Sequence, residues 1–403
     1  MEAEQRQHFN ERFSASLYET MLHKLRDSVG KLPFRVAETP VFLDENVQQS
    51  LFHAAEGLLS ELCAPELNEA MQPVIPHDHC APGMNALPDC VTLDFALAQN
   101  PEGKVEPRLV ELQAFPSLYA FTWVHAQVWL ALLREMSIVD DSWTSFWGGT
   151  DPKAVVESLR QTIVGDLDPE HVVLVDIEPK QQKTLPDFVA TQNLLGIDHV
   201  CVSELEREGR RLYRRIDGRL VPIQRIYNRV VFDELLQREP KMSFSYRDAL
   251  DVTFVPHPNW QWTWSKAVLP HLRHASVPSA HLVSQLDEIP PNLNNYVLKP
   301  LFSFAGAGVN VEPDESAVMA IPPAERSNWL LQEKIDYARQ LRTPEGHGVA
   351  AEVRVLCLKR PQDERPKVLS NLTRLSRGKM LGVDFNRDFD WVGSTVSFWS
   401  QKS

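Results

Sequence analysis

The sequence predicts a mixed fold, α/β in its middle and α+β toward its C-terminus, behind a helical N-terminal region. Three observations predict it. Apolar residues recur at helical spacing through residues 1 to about 72, at Phe13, Leu17, Met21 and Leu25, then at Val47, Leu51, Ala55, Leu58 and Leu62. Between residues 171 and 205 a β-branched apolar run, a helical pattern and a second extended run follow one another. After Lys299 come four strand candidates, 328–336, 350–358, 366–376 and 390–399, as expected of an antiparallel α+β lobe.

Taken in order, the N-terminal helices lead into a loop, PVIPHDHCAPGMNALPDC, at 73–90. Its His77, His79, Cys80 and Cys90 are zinc-ligand types, but their spacing matches no zinc finger and no site is assigned to them. LYAFTWVHAQVWLALLREM after Pro116 reads as a buried helix, and Asp151 precedes a helix over Pro152 to Ile163. HVVLVDI at 171–177 has the composition of a central parallel strand. TLPDFVATQNLLG at 184–196 is a helix closed by Gly196, and HVCVSEL at 199–205 is the next strand. Asp217-Gly218 signals a tight hairpin, followed by the strand PIQRIYNRV. This alternation suggests a Rossmann-like lobe without the glycine fingerprint of a dinucleotide site, which argues against a nicotinamide cofactor. HPNWQWTWSKAVLPHL at 257–272 is an aromatic turn with Lys266 ahead of a helical SKAVLPHL.

The composition is 43% hydrophobic and 24% charged, enough for a large core in two or three lobes. The net charge of −13 argues against a nucleic-acid scaffold, which needs a basic surface, while leaving room for a nucleotide in a local basic pocket. Five scattered cysteines imply no disulfide framework and favour a reducing compartment. No apolar run reaches the length of a membrane span, and the charged N-terminus lacks a signal h-region. The expectation is a soluble cytoplasmic protein with no membrane or nucleic-acid partner.

Two stretches carry chemistry. VTLDFALAQ at 91–99 and RLVELQAF at 108–115 flank the turn NPEGKVEP. If this hairpin closes about Glu102-Gly103, Asp94 falls opposite Glu111, with Gln113 on the same face. Two carboxylates and an amide oxygen suit Mg²⁺, and an opposed acidic pair is unfavourable without a cation. The alternative is a solvated polar face. The second stretch is NYVLKPLFSFAGAGVNV at 295–311. A short strand ends at Lys299, Pro300 bars a helix, and Gly306 and Gly308 free the backbone before Val309 to Val311 resumes an extended course. A lysine beside a loop of free N–H groups is a phosphate clamp, or else a glycine hairpin with an exposed lysine.

The ordered set resembles the ATP-grasp superfamily, and more closely its circularly permuted members, the glutathionylspermidine synthetase-like carboxylate–amine ligases. The resemblance spans about residues 90 to 377. SKAVLP and YVLKP supply the two nucleotide lysines, Lys266 and Lys299. SFAGAGV supplies the phosphate loop, with Ser303, Ala305, Gly306 and Gly308. WLLQEKI supplies the adenine hinge, with Gln332, Glu333 and Lys334. Asp94 and the Glu-Leu-Gln of Glu111 to Gln113 take the places of the metal aspartate and the Glu-x-Asn. The metal acids precede the lysines, which is the mark of the permutation. LTRLSRG offers Arg374 as the phosphate arginine, and Arg354, which shares a face with Glu352, is a second catalytic candidate. Two positions depart from the pattern. Gln113 stands where Asn is usual, and Leu93 where an arginine often precedes the aspartate; Arg108, Arg225 or Arg229 could supply that charge.

The resemblance implies a circularly permuted ATP-grasp fold divided into a helical region (1–90), a metal-ligand hairpin (91–125), a Rossmann-like lobe (126–255) and nucleotide-binding lobes (256–403). It implies ATP and Mg²⁺ as cofactors and small-molecule carboxylate and amine substrates, an amino acid or peptide among them. The activity implied is ligation through an acyl phosphate. The alternatives are a phosphotransferase on the same scaffold and a non-catalytic ATP-binding protein. A last reading, in which these residues are unrelated, requires the hairpin and the lysine loop to lie more than ~15 Å apart, too far to share one Mg-ATP.

Overall fold

The computed structural model describes residues 1–303, 306–378, 386 and 388–401. Helices Ala3–Arg12, Ala15–Val29, Glu45–Leu62 and Pro65–Met71 build the N-terminal region. Two of them start on side-chain caps: Ser14 accepts from the Leu17 N–H and Asp44 from the Val47 N–H. The helical pattern is interrupted where residues 41–42 form a short strand, Val41–Phe42, parallel to Ser397–Ser400 at the other end of the chain.

The centre is an antiparallel sheet in the order Gly393–Thr395, Lys367–Ser376, Gly348–Leu358, Cys90–Gln99, Val105–Gln113, with Leu341–Arg342 pairing beside Gly348–Leu358. Cys90–Gln99 is buried along nearly its whole length, so both faces of this inner strand are covered. Helix Tyr119–Glu135 lies against the sheet, and the Tyr119 hydroxyl donates to the carbonyls of Val91 and Cys357 at 2.9 and 2.8 Å. One apolar core draws on side chains from Phe9 to Trp399.

A second sheet is parallel, in the order Thr253–Val255, Arg225–Asn228, Val172–Asp176, Asp198–Cys201. Helix Leu185–Leu195 lies between two of its strands in sequence and ends at Gly196, whose φ of 74° suits glycine. The Asp217-Gly218 signal is a two-residue turn: both residues have positive φ and Ile216 pairs with Arg219. A third, antiparallel sheet, Ala280–Leu282, Trp329–Glu333, Tyr296–Pro300, carries Lys299.

Several expected elements differ. PIQRIYNRV is two strands, Arg219–Ile223 and Arg225–Asn228, in different sheets. The strand expected over 199–205 stops at Cys201 and becomes a 3-10 turn, because Glu204 reaches back to the Cys201 N–H. Lys266–His271 is a 3-10 helix containing Pro270, which has no N–H to continue an α-helix. Residues 309–311 form no strand; a lone bridge joins Asn310 to Leu298. The terminal strand splits into Gly393–Thr395 and Ser397–Ser400, again in different sheets.

Candidate functional site

The hairpin of Cys90–Gln99 and Val105–Gln113 places Asp94 opposite Glu111, but not by symmetric closure. Near the turn the pairs are shifted by one residue, Gln99 with Val105 and Phe95 with Leu109. A bulge at Val110 then restores the Asp94–Glu111 pair. The bulge also frees the Val110 carbonyl from the ladder. Lys299 Nζ donates to it at 3.1 Å and to Gln332 Oε1 at 2.6 Å. Gln332 Nε2 in turn donates to the Leu109 carbonyl at 3.3 Å. The lysine strand and the acidic hairpin are therefore joined directly, through a residue that the bulge exposes.

Lys266 closes the same cleft from another element. Its Nζ donates to the Ser303 carbonyl at 2.6 Å and lies 3.8 Å from Glu111 Oε2. This contact removes the reading of hairpin and loop as unrelated. Ser303 thus fixes the start of the glycine loop, and Gly306 and Gly308 both take positive φ, 76° and 72°. A Cβ on Gly308 would meet Pro300 Cγ at 3.1 Å, so the loop folds closely over the end of the lysine strand. Ala305 lies outside the described residues.

Around Asp94 the structure supplies an ion cluster. Arg354, directly across from Asp94 on Gly348–Leu358, binds both carboxylate oxygens, Nε to Oδ1 at 2.7 Å and Nη2 to Oδ2 at 2.6 Å. Arg374, across from Glu352 on the next strand, bonds both Asp94 and Glu352. Tyr337 donates to Glu352 at 2.9 Å and Arg354 to Ser117 Oγ at 2.7 Å. Burial raises the Asp94 carboxyl, but Arg354 and Arg374 outweigh it and hold its pKa below the ordinary value. Burial raises Glu352; Arg374 opposes this and the carboxylates of Asp94 and Glu111 add to it. Burial likewise lowers Lys299 to about 8, against the pull of Glu111.

The arginines beside Asp94 are Arg354 and Arg374, and none of Arg108, Arg225 and Arg229 is bonded to it. Arg108 bonds the Ala275 carbonyl, Arg225 packs against Gly165, and Arg229 is buried in an ion pair with Asp187. In this cluster Arg354, Arg374, Lys266 and Lys299 face the three carboxylates of Asp94, Glu111 and Glu352. Cations outnumber acids, and Arg374 Nε is buried without a partner among the described residues. The cleft therefore carries a small excess of positive charge.

The fit to a divalent ion is uneven. Both Asp94 oxygens are engaged by guanidinium groups, leaving Glu111 and Gln113 with oxygens at the cleft, where Gln113 Nε2 also donates to Glu111 at 3.3 Å. Among the described residues no three His, Cys, Asp or Glu side chains gather as a metal centre. His79 stacks on Trp262 with ring centroids 5.8 Å apart, while Cys90 begins a buried strand. At the hinge, the N–H groups of Glu333 and Lys334 are already bonded to the Ser279 and Asn295 carbonyls, at 2.8 and 2.7 Å.

Sequence reasoning missed an apolar pocket of 240 Å³ that adjoins Gln113, Lys266 and Ser303 and is walled by Phe115, Phe232, Trp262 and Phe302. Of the three tryptophans at 260–264 only Trp262 lines it.

Neither a family model nor a curated protein matches the sequence. Among solved structures, the chain is similar to a glutathione synthetase-like effector of Globodera pallida in its apo form, with a TM-score of 0.58 at 12% identity, covering 96% of this chain and 97% of that one. At that identity the likeness concerns the fold. No helix among the described residues is long and apolar enough to cross a membrane.

Proposed function

We propose that the protein is a circularly permuted ATP-grasp ligase of the cytoplasm that joins a small carboxylate to an amine at the expense of ATP. The observation that carries this reading is the meeting of Lys266, Lys299, Arg354 and Arg374 with Glu111 in one cleft, with the glycine loop anchored on Lys266. In the proposed reaction a carboxylate oxygen attacks the γ-phosphorus of ATP and the bond to the ADP oxygen breaks. The amine nitrogen then attacks the acyl carbon, phosphate leaves, and the nitrogen loses its proton to solvent.

Lys266 and Lys299 hold the phosphates, and the partly exposed guanidinium of Arg374 steadies the charge on the phosphoryl group in transfer. The loop of Ser303, Gly306 and Gly308 covers the phosphates and keeps water from the acyl phosphate. Glu111 and Gln113 are the residues that would hold Mg²⁺ beside the phosphates, where the ion supplies Lewis-acid neutralisation of the two anionic reactants. Asp94 acts here by orienting Arg354 and Arg374.

The engagement of Asp94 by two arginines favours one second reading, an ATP-binding protein without turnover. ADP release that requires both a carboxylate and an amine supports the ligase. Nucleotide binding with no ADP release across a broad panel of both substrates overturns it in favour of the second reading.

A further inference from the structure

The 240 Å³ pocket beside Lys266 lies between the start of the phosphate loop, the end of the acidic hairpin and helix Phe232–Arg238 of the parallel-sheet lobe. We infer that it receives a single zwitterionic amino acid with an apolar or aromatic side chain, and not an extended peptide. Its role as a ligase substrate rests on the function proposed above; its binding does not.

Three properties of the pocket lead to this class. Its walls are rings held against one another: Trp262 meets Phe302 at 5.0 Å and Phe232 at 5.3 Å between centroids. Leu236, half exposed, stands at its margin. A rigid aromatic lining favours an apolar body. Its charges are opposite and few. Among the described lining residues Lys266, which also bonds the Ser303 carbonyl and lies beside Glu111, is the one base, and Asp233, which also accepts from Gln237, is the one acid, a pair that suits a carboxylate and an ammonium on one ligand.

Most other polar groups of the lining are already engaged. Gln261 bonds the Val230 carbonyl and the Phe232 N–H, and Ser265 Oγ bonds the Trp262 carbonyl and the Ala267 N–H. Size completes the argument. At 240 Å³ the pocket is smaller than the roughly 300–1,000 Å³ that takes drug-sized ligands, which leaves room for one amino acid.

The test is calorimetric titration of the full-length protein with L-phenylalanine, 3-phenylpropionate, phenethylamine, glycine and glutathione, without nucleotide and with a non-hydrolysable ATP analogue. Phenylalanine is expected to bind at least ten-fold more tightly than each of the others. Asp233→Asn, a change on an accessible helix, is expected to erase its advantage over 3-phenylpropionate while circular dichroism stays unchanged. The inference is overturned if glycine or glutathione binds as tightly, if no apolar amino acid binds, or if Asp233→Asn leaves the preference intact. Phenylalanine binding to a protein that does not bind the ATP analogue upholds the pocket and overturns the ligase. The converse overturns the pocket and leaves the ligase standing.

Discussion

Replacing Asp94 by Asn separates an ion-cluster role for this residue from a metal-ligand role. Asp94 is 1% exposed and receives two bonds from Arg354 and one from Arg374. Asparagine keeps the volume but removes the charge, and its amide cannot accept the bidentate fork of Arg354. Arg374, partly exposed, then keeps Glu352, while the buried Arg354 is left with Glu111 at 4.0 Å as its nearest acid. Breaking a buried pair by removing one partner costs about 3–5 kcal/mol. Asp94→Asn should therefore lower the unfolding free energy in urea at pH 7 by about that amount, without any added ligand. Adding Arg354→Gln should restore part of it, with a coupling of about 1–3 kcal/mol in the double-mutant cycle. A loss below about 1 kcal/mol, together with strictly additive mutants, would refute the cluster and return Asp94 to the metal. Acid should act in the same direction. The folded-state pKa of Asp94 is depressed, so its contribution is present above the ordinary carboxylate value and fades as pH falls through the lower one.

The two lysines carry further expectations. Lys266→Met and Lys299→Met should each weaken ATP binding at least ten-fold, about 1.4 kcal/mol, in titration calorimetry; unchanged affinity in both would remove the phosphate clamp. Lys299 has its folded pKa lowered to about 8 from 10.5, so between these values the unfolded chain binds more protons and this group's contribution to stability rises with pH. Over the same window ATP affinity should fall as Lys299 loses its charge. Parallel pH profiles of the wild type and Lys299→Met would contradict both statements. Gly393 sits at φ 113° with a would-be Cβ 2.5 Å from the Arg35 carbonyl, so Gly393→Ala should destabilise by about 2 kcal/mol or more in thermal unfolding. An unaltered midpoint would show that this backbone contact carries no constraint.

The chain's local rules were legible in its sequence. The Asp217-Gly218 turn, the Asp151 cap and the Gly196 stop follow from single residues whose backbone preferences act over three or four positions. The two-residue period of strands placed Asp94 with Glu111, and Glu352 with Arg354, on shared faces. Lys266, Lys299 and the glycine loop stood out because lysine between apolar runs, followed by glycine, is unusual chemistry for a core.

What lies across the chain was decided only by the fold. Arg354 and Arg374 meet Asp94 from strands some 260 and 280 residues away, and no local pattern specifies which non-consecutive strands pair or in what register. The bulge that turns the Val110 carbonyl toward Lys299 is one extra residue in a strand whose alternation reads as regular. That the Glu333 and Lys334 N–H groups are taken by the Ser279 and Asn295 carbonyls is likewise not recorded in the sequence, which does not show which backbone donors neighbouring segments consume. Side-chain type thus marked where charge would sit. The long-range pairing, set by burial of both faces of the central sheet, determined which opposite charge answers it and whether Asp94 is left free to hold a metal.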